Sequence, residues 1–155
     1  MKREDLVRHL MNDEKLTVEI DGKPAILGSS EAFSTAELTS DQCEVLLADP
    51  NALERYTIPL TDGMWDIVDL TDNEISIGLP LAYNLASAEK GSSLWFRIPK
   101  DDSLRSICRK IRRPLALLRN SQTPIDSTIG FRQGKLERIA FDEVGRIISV
   151  KGRKG

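Results

Sequence analysis

Six cations crowd one stretch of this chain: Arg105, Arg109, Lys110, Arg112, Arg113 and Arg119, with no carboxylate between Ser103 and Asn120. Arg105, Arg109, Arg112 and Arg119 fall on one line at helical spacing. Leu104, Ile107, Cys108, Ile111, Leu115 and Leu118 fall on another, so 103–119 reads as an amphipathic helix with a cationic face. Like charges at i, i+4 repel by about 0.2–0.5 kcal/mol per pair. Burial of the apolar line, or an anionic partner, must offset that. Such a face attracts phosphate backbones, acidic proteins or membrane headgroups. Pro114 removes a backbone donor and disfavours helical geometry at Arg113, which predicts a kink or two helices.

A second constellation is acidic. Between Glu31 and Glu74 there are eleven carboxylates and one cation, Arg55. Asp62, Asp66, Asp69, Asp72 and Glu74 are the densest part, with Trp65 among them as an amphipathic interface anchor. The order Asp62-Gly63-Met64-Trp65-Asp66 lacks the alternating oxygen ligands and central glycine of a calcium loop, so no metal site is read there. These two constellations summarise the whole chain. Residues 1–95 carry seven Lys/Arg against eighteen Asp/Glu, a net of −11; the remaining sixty carry fifteen against six, a net of +9. The overall −2 conceals a molecule with two unlike regions.

The residues of catalysis are sparse. His9 is the single histidine, so a His-dependent triad or metal set has one candidate member. No CxxC, phosphate-loop, dinucleotide or zinc-protease pattern occurs, and no cofactor is read. Cys43 and Cys108 read as separate, reduced thiols. No apolar run approaches the roughly 20 residues of a membrane helix, and the start resembles no signal peptide, so the expected location is the cytoplasm.

The elements that must carry these residues read as one α+β domain over 1–150 and a basic flexible tail over 151–155. The sheet is expected to be mostly antiparallel. It begins with an N-terminal hairpin, Leu16 to Ile20 returning through Asp21-Gly22 and Lys23 to Leu27, with Pro24 marking the return strand as an edge. It ends in a three-strand meander over 127–132, 135–141 and 146–150. Short strands are expected at 56–60, 64–70, 74–79 and 93–98. Helices are expected at 3–12, at 40–48, after Pro80, and over the basic segment, two to four being secure. The leading functional reading is a non-enzymatic interaction module, an accessory factor or assembly subunit, docking protein partners or further copies of itself through the acidic surface and the basic face. The alternative is a nucleic-acid-binding protein using the basic C-terminal third. The third reading is a small carboxylate-dependent enzyme, which needs two acids in one pocket.

Overall fold

A computed structural model of the chain describes residues 2–70, 74–119 and 130–153, the backbone alone at 68–70, 149 and 151–153. Its frame is a nine-stranded, curled, mixed sheet. In chain order the elements are α1 (Arg3–Met11), β1 (Leu16–Ile20), β2 (Lys23–Ser29), α2 (Thr35–Leu38), β3 (Cys43–Leu46), a 3-10 turn (Pro50–Arg55), α3 (Asp62–Leu70), β4 (Glu74–Pro80), β5 (Ser93–Arg97), α4 (Asp102–Ile111), β6 (Leu115–Leu118), β7 (Gly130–Phe131), β8 (Leu136–Phe141) and β9 (Ile147–Arg153). Strand order is β7-β1-β2-β6-β3-β5-β4-β8-β9. Three pairings are parallel: β1 with β7, β3 with β5, and β4 with β8.

This overturns the mostly antiparallel sheet with a terminal meander. The expected first meander strand holds β7, which pairs with β1 at the far edge, while β8 and β9 form a hairpin at the other. The N-terminal hairpin forms in the expected register, but β2 is no edge: β6 pairs with it over Ile26–Ser29. Pro24 is tolerated because it precedes that pairing. The 40–48 helix is instead β3, and 64–70 is helix rather than strand. Thr61 starts α3, its hydroxyl accepting from Met64 N at 3.3 Å and its carbonyl from Trp65 N at 3.0 Å. The segment read as a tail is in β9 through Arg153; 154–155 lie outside the described residues.

Strand alternation feeds two cores, one on each face. Val45 and Leu47 enter one core and Leu46 the other; Ala116 joins the first, Leu115 and Leu117 the second. The second core is roofed by α1 through Leu6 and Leu10 and by α4 through Leu104, Ile107, Cys108 and Ile111. Each fully buried aliphatic side chain there contributes about 1.5–3 kcal/mol. With both faces covered, β3 needs no polar alternation, which is why its run looked helical.

The helix over the basic segment stops at Ile111. Asp101 opens it, its carboxylate accepting from Leu104 N at 3.1 Å and from Arg132 N at 2.8 Å. Arg112 closes it in the left-handed region, φ 59°. Arg113, before Pro114, cannot easily stay helical. Leu115 and Leu118 therefore belong to β6, not to a helical stripe.

Gly78 lets Trp95 lie across β4. A Cβ there would sit 3.0 Å from Ala140 Cβ and 3.1 Å from Trp95 Cζ3. Gly78→Val is expected to destabilise the fold by about 1–3 kcal/mol, seen as a lower urea midpoint at unchanged m-value.

Candidate functional site

The basic segment divides between two places. Arg119 leaves the helix for the end of β6, where its guanidinium donates to Glu44 and Gln133. The others stay with α4. Arg105 Nε donates to Ala48 O at 2.9 Å, and its Nη2 lies 3.2 Å from Asp49 Oδ1. Arg109 approaches the same oxygen at 3.7 Å. Arg113 pairs with Asp13 at 3.1 Å and donates to Met11 O at 2.8 Å. Lys110 and Arg112 are exposed and form no ion pair among the described residues.

Arg109, Arg112 and Arg113 border a cleft of about 550 Å³. One wall is the end of α4: Cys108, Arg109, Arg112, Arg113 and Pro114. The facing wall is the segment after β3, with Asp49, Pro50, Asn51, Arg55 and Tyr56. Four arginines thus meet one carboxylate. Arg55, read only as a lone cation in an acidic stretch, is exposed and forms no ion pair among the described residues. No local sequence signal could find it, since the cations it faces lie more than fifty residues away. Asp49 is shared by Arg105 and Arg109. Cys108 lines the cleft, but burial pushes its thiol up to about 12, as it does that of Cys43, so neither is a ready nucleophile. Among the described residues no group of three or more His, Cys, Asp or Glu could hold a metal ion.

Among the described residues of the acidic constellation, Glu74 does not share a surface with Asp62 and Asp66. Asp62 and Asp66 lie one turn apart on the exposed side of α3. Trp65 is half-buried and packs on the first core. Asp69 belongs to α3, its side chain not described, and Asp72 lies outside the described residues. Glu74 is turned into the protein, 4% exposed, where its Oε2 accepts from Arg97 Nη1 at 3.2 Å and its Oε1 from Lys100 N at 2.6 Å.

Glu74 belongs to a buried ion layer. Arg97, 1% exposed, sits between Glu74 and Glu44, its Nε 3.2 Å from Glu44 Oε2 but misaligned for a hydrogen bond. Beside the layer Arg138 stacks on the Trp95 ring, 3.9 Å from its centre, and donates to Asp41 O. Burial pushes the Glu44 carboxyl up, but Arg97 and Arg119 outweigh it and hold the carboxyl below its ordinary value of 4.5.

No family model matches this chain, and no curated protein sequence matches it either. Its fold does match solved structures. E. coli YciO superposes with a TM-score of 0.62 at 11% identity, over 99% of this chain and 90% of that one. Full-length HypF, in a phosphate- and nucleotide-bound form, gives 0.63 at 13% identity over 90% of this chain, and a double variant of P. abyssi Sua5 gives 0.57 at 8% identity over 76%. The matched region spans 40% of the Sua5 chain and 27% of the HypF chain. At such identities the likeness establishes a shared fold.

A carboxyl held below its ordinary value stabilises the fold above that value, and the contribution is lost as pH falls through the lowered one. The wild-type protein is therefore expected to lose stability below about pH 4.5. Glu44→Gln should be less stable near neutrality by about 3 kcal/mol, with a shallower acid slope in urea titrations taken from pH 6 to pH 3.

Proposed function

We propose that this chain binds nucleic acid through the cationic cleft between the end of α4 and the segment following β3. One observation carries the reading: Arg55 stands across the cleft from Arg109 and Arg112. Cations in the last turn of a helix are favoured by the helix dipole alone. That explains Arg109 and Lys110; it does not explain a cation from a distant segment on the facing wall. Convergence of positive charge from two segments suits a phosphate-bearing ligand.

Two further features support it. Arg112 holds a left-handed backbone that a side chain adopts at a cost of about 1–2 kcal/mol, where glycine is the usual residue. Retaining arginine there is intelligible if the guanidinium is used. HypF, which shares the fold, is described with phosphate and nucleotide bound, and the same ligand chemistry fits four arginines here.

The test is fluorescence anisotropy with labelled oligonucleotides at low salt. Binding should weaken with a log–log salt slope of about −0.7 to −0.9 per phosphate contacted. Arg55→Glu and Arg112→Glu should each weaken it about ten-fold and make the slope shallower by about one. Absence of binding at low salt, or binding indifferent to both changes, contradicts the proposal. Arg112→Gly separates stability from function: thermal or urea unfolding should show a gain of up to about 1 kcal/mol, while affinity falls.

A further inference from the structure

We infer that the cleft takes a single strand, seating one nucleotide against Tyr56 while the arginines hold the flanking phosphates. The inference rests on the nucleic-acid reading and goes beyond it in two respects, strandedness and a stacking residue.

Size is the first argument. A space of about 550 Å³ is in the range of small-ligand sites, roughly 300–1,000 Å³. One nucleotide fits; a duplex, with its bases stacked inside and only their edges open in the grooves, can only lie across the rim. The distribution of chemistry is the second. Tyr56, Pro50, Ala52 and Pro114 give the cleft apolar surface, and Arg55, Arg109 and Arg112 stand around it. A surface that reads only a duplex backbone needs the cations and gains nothing from the apolar part. A single strand uses both, since its bases have free faces to stack.

Tyr56 is built as a rigid platform. Its backbone N–H donates to Leu53 O at 3.0 Å, and its carbonyl accepts from Ala82 N at 2.8 Å and Tyr83 N at 3.4 Å. Its side chain packs partly on the first core while lining the cleft. Little ordering is then left for binding to supply. Asn51, exposed beside it, offers an amide to the edge of a stacked base.

The experiment compares a labelled twelve-nucleotide single strand with its duplex, using wild type, Tyr56→Phe, Tyr56→Leu and Arg112→Glu, each checked for an unchanged far-ultraviolet circular dichroism spectrum and cooperative urea unfolding. The single strand should bind at least ten-fold more tightly than the duplex. Tyr56→Phe should retain that affinity, and Tyr56→Leu should lose about five-fold or more on the single strand alone, the scale of one base–aromatic stack. A nucleoside 5′-monophosphate at millimolar concentration should compete, because it fills the same seat. Equal binding of both forms with Tyr56→Leu inert, while Arg112→Glu weakens both, overturns this inference and leaves the nucleic-acid reading standing. If neither form binds at low salt, both fall. Should Tyr56→Leu misfold, preference for the duplex or failure of the monophosphate to compete still overturns it.

Discussion

Arg97 is the residue around which this fold is arranged. It lies at the end of β5, 1% exposed, between Glu44 on β3 and Glu74 on β4, and Arg119 at the end of β6 completes the charge balance on Glu44. Four neighbouring strands are thereby tied together through one set of linked ion pairs. Parallel and antiparallel pairing meet here, with β3 parallel to β5 and antiparallel to β6. A slip of one residue would turn a charge into an apolar core, so the layer penalises wrong registers heavily. Its net contribution to stability is a separate matter, because desolvation of such groups offsets most of their attraction.

The same layer positions the cleft. Glu74 uses one oxygen on Arg97 and the other on Lys100 N, fixing the turn from β5 towards Asp101, which caps α4. That sets the wall carrying Arg109 and Arg112. Glu44 anchors β3, whose continuation supplies Asp49, Arg55 and Tyr56 on the facing wall. Part of the charge split in the sequence is spent within the molecule: Glu44 and Glu74 on Arg97, Asp49 on Arg105 and Arg109, Asp13 on Arg113. Among the described residues Arg55 and Arg112 line the cleft without an ion pair, and Arg109 has only its long approach to Asp49.

Local rules found some of this and missed the rest for identifiable reasons. Asp21-Gly22 and its alternating flanks predicted the first hairpin, and the apolar line from Leu104 to Ile111 predicted α4, whose buried side it forms. β3 failed because a strand covered on both faces has no period-two signal. α3 failed because Met64, Trp65 and Ile67 were read with their β-favouring neighbours while the Thr61 cap was overlooked. β7 failed because adjacency in sequence was taken for adjacency in the sheet. In the site, Arg109 was legible as a helix cation, Arg112 and Arg113 only as members of the basic segment because the helix ends before them, and Arg55, Asp49 and Tyr56 join them only through tertiary packing.

The central claim is that two walls, brought together by one ion layer, act as a single binding surface. A nitrogen-15 titration of the protein with a single-stranded oligonucleotide addresses it residue by residue. The account predicts perturbed amide and arginine side-chain signals in both 48–56 and 108–114, growing together with one apparent affinity. Perturbations confined to one wall, or centred on α3 or β9 instead, would contradict it.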